Sequence, residues 1–138
     1  MWPPATDKQT APPLHTDKEY CIMVVVGKYK QSFNDLTGQN LPCTDIYQSD
    51  GLEAHVRKHH PSETDLLKYI PSILSSPDYI GHHPGEPDSV ELVKILDVNA
   101  MVCVKLDTKA GYLYVASVFS INNSKLSRRI SSGRLKKC

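Results

Sequence analysis

An α+β fold is predicted from three observations. Helical spacing of apolar residues is concentrated in the first half of the chain, and β-branched runs of strand length follow one another in the second. The turns between those later runs are short enough to require antiparallel neighbours. Helices gathered ahead of such a meander pack on one face of its sheet.

At 138 residues and 40% hydrophobic, the chain has the size of a single domain. Residues 1–17 carry Pro3, Pro4, Pro12 and Pro13 in a polar stretch that would bury little, so they are expected as a flexible Pro-rich arm. The folded domain is expected over residues 18–138. "YCIMVVVGK" (20–28) is a continuous apolar run closed by glycine, the pattern of a buried strand. "YKQSFNDLTG" (29–38) is a short helix with Phe33 and Leu36 three apart and Gly38 at its C-cap. "TDIYQS" (44–49) is a second strand.

A helix begins after Ser49 or Asp50 and places Leu52, Val56 and the stem of His59 or His60 on one side. Pro61 ends it. Ser62 then caps a further helix whose Leu66, Leu67, Ile70, Ile73 and Leu74 form one stripe, with Pro71 as a kink or split. Residues 76–89 are dense in turn residues and read as a loop in which Tyr79 and Ile80 plug the core edge. "VELVKILD", "AMVCVKLD" and "GYLYVASVFSI" are the meander strands, with Tyr112 and Tyr114 on one face. A basic helix follows, capped by Asn122 or Asn123, with Leu126 and Ile130 four apart and Gly133 as its stop.

The net charge of +1 conceals a local excess: residues 122–138 carry six cations and no acid. Such a segment attracts phosphate through its near field, although a solvated helix and tail would have the same composition. Cys21, Cys43, Cys103 and Cys138 show no CxxC spacing, and Cys21 and Cys103 sit in apolar runs, so reduced thiols and an intracellular, cytoplasmic protein are expected. No apolar run approaches the roughly 18 residues of a membrane span, and no signal pattern opens the chain, so no membrane partner is expected.

"HVRKHHPSE" (55–63) is the densest concentration of chemistry. His55 and His59 are four apart on one helical face, but Val56 stands where a metalloprotease helix carries glutamate. A zinc site would need His82 or His83 from the loop and would lie among Arg57, Lys58 and the basic tail, which repel a dication. No metal and no cofactor are therefore expected, while a plain surface helix remains an alternative. Acid–base chemistry suits the same residues, because histidine exchanges protons near neutral pH and a bound phosphate raises its pKa. RNA carries its own nucleophile, the 2′-hydroxyl, and needs only a proton acceptor, a proton donor and groups that neutralise charge on phosphorus. His55, His59, Lys94, Lys105, Ser117, Ser120, Lys125, Arg128 and Arg129 are the candidate parts.

"DIYQSDGLEAHVRKHHP", "LLKYIPSILSSPDYIG", "VELVKILD", "VCVKLD", "GYLYVASVFSI" and "SKLSRRISSGRLKK" occur in an order and spacing that resemble the phage-associated branch of the barnase, EndoU, colicin and RelE-like (BECR) nucleases. The resemblance runs from about Val24 to Lys137. It implies amino-terminal helices against a four-stranded antiparallel sheet, a basic C-terminal helix, and a metal-independent endoribonuclease or toxin activity. Carried onto this chain, it implies His55, His59, Lys94, Ser117 and Arg128 as catalytic residues and Lys125 as a terminal cation that binds substrate; Lys105, Ser120 and Arg129 are expected to bind substrate from their chemistry and placement, with a solvated strand residue as the alternative for Lys105. "ASVFS" stands where such proteins often read serine and threonine followed by an aromatic, which makes Ser120 the substitute for Ser117. RNA, with tRNA among the candidates, and an inhibitor or immunity protein are the expected partners. The alternatives are a non-catalytic module that binds RNA or protein, and a histidine-ligated zinc protein.

Overall fold

The computed structural model describes residues 22–138. The expected Pro-rich arm, Tyr20 and Cys21 lie outside the described residues. Among these residues the elements in chain order are β1 (Met23–Lys28), α1 (Gln31–Thr37), β2 (Asp45–Ser49), α2 (Leu52–His59), a 3₁₀ helix (Pro61–Tyr69), α3 (Ile70–Ser75), β3 (Tyr79–Gly81), β4 (Ser89–Ile95), β5 (Asn99–Asp107), β6 (Tyr112–Ile121), α4 (Asn123–Ser131) and β7 (Leu135–Lys137). The strands form one seven-stranded sheet in the order β1-β2-β6-β5-β4-β3-β7.

The α+β class stands, but the four-stranded antiparallel sheet with amino-terminal helices is corrected. The described part opens on a strand, and α1 to α3 are interleaved with strands. β2 joins the meander by parallel pairing with β6, Ile46 opposite Leu113 and Tyr47 opposite Tyr114. That pairing spans more than sixty intervening residues, and no local pattern announces it. β3 and β7 add three residues each, too few to display a period of two, and both lie in stretches read as loop and tail. β1 is an edge strand, so Val24 and Val25 are exposed and the first run is not a buried strand as expected.

The local punctuation follows the chemistry of the sequence. Gly38 ends α1 at φ 76° and donates its N–H to the Asn34 carbonyl at 2.8 Å, a left-handed cap that glycine adopts without strain. Of the expected stripe Leu66, Ile70, Ile73 and Leu74 are buried and Leu67 is half-buried, and the segment divides just before Pro71, 3₁₀ on one side and α-helix on the other. α4 is capped by Asn122, whose side chain accepts the Lys125 N–H at 2.7 Å.

Two apolar clusters mark the two faces of the sheet. The larger joins Val90, Leu92, Ala100, Val102, Val104, Leu113, Val115 and Val118 to α1, α2, the 3₁₀ helix and α3. The smaller joins Val93, Met101, Ile121 and Leu135 to Tyr79, Cys103, Phe119 and Leu126 of α4 on the opposite face. Only part of that second face is roofed by α4, and its remainder holds the polar residues that matter below.

Candidate nucleic-acid site on the second sheet face

In an antiparallel ladder, residues directly opposite one another point to the same side. The register therefore lines up Glu91 of β4, Cys103 of β5 and Ser117 of β6 in one row. The neighbouring row is Val93, Met101 and Phe119, and on the far side Ser89, Lys105 and Tyr114 form a third. An irregularity in the β5–β6 register between Cys103 and Val104 lets Val115 and Val118 both face the large core while Ser117 stays on the second face.

Ser117 stands apart chemically. Its Oγ is buried and, among the described residues, is the sole buried side-chain polar atom with no hydrogen-bond partner. A buried hydroxyl left unpaired costs free energy, and such atoms persist where a ligand or water completes them. Cys103 beside it plays a packing role. Burial, reinforced by the Glu91 carboxylate, pushes its thiol up to about 12, so it stays protonated at neutral pH.

Cations gather around these rows. Arg134 reaches Glu91 with two bonds, Nε to Oε1 at 3.1 Å and Nη2 to Oε2 at 2.7 Å, and the carboxylate side chain is only 5% exposed. Gly81 makes this reach possible: a Cβ there would lie 2.0 Å from the Arg134 carbonyl oxygen. Arg129 projects from α4 onto Met101, its Nη1 3.4 Å from Sδ, and is half-buried. Lys105 pairs with Glu86 at 2.9 Å, which raises the lysine and lowers the carboxylate against their ordinary values. Beside the rows an open groove of about 720 Å³ is lined by Lys125, Ser127, Arg128, Arg129, Ser131, Ser132 and Arg134. Four cations and three hydroxyls with no carboxylate line that groove, which gives it a positive field.

The histidines approach from the opposite side of β6. His60 sits just past α2, its N–H bonded to the Val56 carbonyl, and its ring stacks on Phe119 at 4.8 Å between centroids and 19° between planes. His55 and His59 lie on the exposed side of α2 with ring centroids 4.7 Å apart. His55 is pushed below the ordinary histidine pKa, first by desolvation and then by the charges of His59, His60 and Lys58. The three histidines thus interact as a cluster, and His60 anchors it to the sheet face. Across the strand from Phe119 is Met101, which carries Arg129. A histidine and an arginine therefore flank one cross-strand pair, and Ser117 is two residues along the same strand.

Of the residues proposed from sequence, Ser117, Lys105 and Arg129 come together on this face, and Lys125 and Arg128 line the groove beside it. Lys94 does not join them. Alternation along β4 turns it away from Glu91, and its ammonium bonds the Ser76 carbonyl at 2.8 Å and the Ser76 Oγ at 3.1 Å behind α3. Ser120 is engaged elsewhere: its Oγ and N–H both bond Glu63 Oε1. His82 bonds the Glu86 carbonyl within its own loop, away from any partnership with His55 and His59. Among the described residues no three His, Cys, Asp or Glu side chains are grouped for a metal ion.

Glu91, Arg134 and His60 were passed over. An acid at the centre of the apolar run "VELVKI" was the available signal for Glu91, since a carboxylate buried in a strand requires a cation. Arg134 lay in a segment without periodicity. His60 lay next to Pro61 and off the helical face shared by His55 and His59.

Comparison with curated proteins and with solved structures found no match. Comparison with family models did: the phage-Barnase-EndoU-ColicinE5/D-RelE like nuclease3 family matches residues 23–128. The match takes in the histidine cluster, Glu91, Ser117 and Arg128, and it ends before Arg129 and Arg134. With most of the chain inside it, the protein belongs to the phage-Barnase-EndoU-ColicinE5/D-RelE like nuclease family.

Proposed function

We propose that the protein is an endoribonuclease that cleaves RNA by attack of the 2′-hydroxyl on the adjacent phosphate, with histidines rather than a metal ion moving the protons. The observation that carries this reading is the placement of the His60 ring on Phe119 and of Arg129 on Met101 across from it, with the orphaned Ser117 hydroxyl two residues along the same strand. In this reaction the 2′-oxygen to phosphorus bond forms and the phosphorus to 5′-oxygen bond breaks. One neutral histidine of the cluster accepts the 2′-hydroxyl proton, and a protonated one gives its proton to the departing 5′-oxygen. The downward shift of His55 suits it to the accepting role, and the stacked, fixed ring of His60 suits it to meet the phosphate. Ser117 donates to a phosphate oxygen, and Arg129 offsets the charge that builds on phosphorus. Such an activity in a phage-associated family fits a toxin or effector, restrained by an inhibitor protein.

The test is incubation of purified protein with tRNA in excess chelator. Products ending in a 2′,3′-cyclic phosphate are expected, with loss of cleavage in His60→Ala. Cleavage that requires added divalent metal, or that survives His55→Ala, His59→Ala and His60→Ala alike, would overturn the mechanism. Harmless expression of the wild type with no cleavage of any RNA would favour a binding module instead.

A further inference from the structure

Three tyrosines gather at one end of the same sheet face, and the chemistry above uses none of them. Tyr47 of β2 stands opposite Tyr114 of β6 in the parallel pairing, and Tyr112 is two residues before Tyr114 on the same side. The Tyr112 ring meets Tyr47 edge-on at 6.0 Å and 84°, and meets Tyr114 at 6.1 Å and 63°. All three are half-buried, neither sealed in the large core nor free in solvent. Lys105 lies directly across from Tyr114.

Placement along β6 gives this cluster its meaning. Tyr114 and Ser117 stand opposite Lys105 and Cys103, two residues apart on β5, so with the intervening irregularity they are separated by about 7 Å along the sheet. That distance suits a nucleotide whose neighbour's phosphate rests at Ser117. An unpaired base presents a π-face of either kind to a tyrosine ring, whereas a paired base in a duplex has both faces occupied by its neighbours. Lys105, directly across from Tyr114, places an ammonium shared with Glu86 beside the connecting backbone.

We infer that Tyr47, Tyr112 and Tyr114 form a stacking platform for an unpaired base next to the scissile phosphate, which makes single-stranded segments the substrate of this site. The inference rests on the ribonuclease reading for the word substrate, but the platform binds whether or not the phosphate is cut. The test is therefore a binding measurement. Fluorescence anisotropy is read with a short oligothymidylate, which lacks the 2′-hydroxyl, and with a duplex of the same length. Tyr114→Leu, which keeps apolar bulk in the sheet, is expected to weaken single-strand binding roughly tenfold, with Tyr114→Phe restoring it. The duplex is expected to bind more weakly than the single strand and to be indifferent to both substitutions. Unchanged single-strand binding in Tyr114→Leu, or equal binding of duplex and single strand by the wild type, would overturn the platform. Wild-type protein that binds the single strand in this tyrosine-dependent way but cuts no RNA would leave the platform standing and remove the ribonuclease reading.

Discussion

A hydroxyl group with nothing to bond is the most informative atom on the second sheet face. Ser117→Ala removes the desolvation cost of an unpaired buried Oγ, so the folded protein is expected to keep or slightly gain stability by thermal melting. The same substitution is expected to slow RNA cleavage by on the order of tenfold, the loss of one hydrogen bond to a charged oxygen. A fall in stability with unchanged cleavage would make Ser117 a packing residue. His55 provides a second residue-level test. Its folded pKa lies below the unfolded value, so the unfolded chain takes up the proton first. The associated stability is full above the ordinary histidine range and is lost as pH falls through the folded pKa. An NMR titration is expected to show His55 with a pKa lower than in the unfolded chain, moving upward when inorganic phosphate is bound.

β4 and the short strand β7 show how elements assemble the site. Arg134, the residue just before β7, crosses over Gly81 to neutralise Glu91. Arg134→Ala would leave a buried carboxylate without its cation, and a loss of about 3 kcal/mol is expected by denaturant unfolding. Adding Glu91→Gln is expected to recover much of that loss, because the uncompensated charge disappears; additive losses would contradict the pairing. At this scale the limits of reading the sequence are physical. The meander, α2 and α4 were legible because each repeats its period several times, and Asn122, Gly38 and Pro61 mark boundaries by their own backbone chemistry. β3 and β7 were not, since three residues carry no period and their stability comes from neighbours distant in sequence. Ser117 was legible as a strand hydroxyl ahead of a basic helix. The exclusion of Lys94 follows from alternation along β4, but which side of that strand faces the open rows depends on α1 to α3 covering the other. His60 owes its place to Phe119, far along the chain, on which its ring stacks.

Over the whole molecule the charge is asymmetric, and the groove along α4 concentrates what the near-neutral total conceals. A nucleic-acid backbone held there releases counterions, so binding is expected to weaken steeply with salt. Arg128→Ala is expected to reduce the slope of log affinity against log salt by about 0.7 for a single strand, with little effect on the rate at saturating RNA. An unchanged slope would place the strand elsewhere. Among the described residues no helix is long and apolar enough to cross a membrane. One continuous sheet thus carries an unpaired serine, a basic groove and three neighbouring tyrosines on the face opposite most of its helices, and the His60 ring reaches that face from the end of α2.

In the proposed mechanism the substrate's own 2′-hydroxyl is the nucleophile. The most direct measurement replaces the 2′-hydroxyl by hydrogen at the single nucleotide whose phosphate is cut, and follows cleavage in excess chelator. Cleavage is expected to vanish at that bond and to continue at other susceptible bonds of the same strand. Cleavage that persists at the deoxy position would contradict the claim and require an external nucleophile.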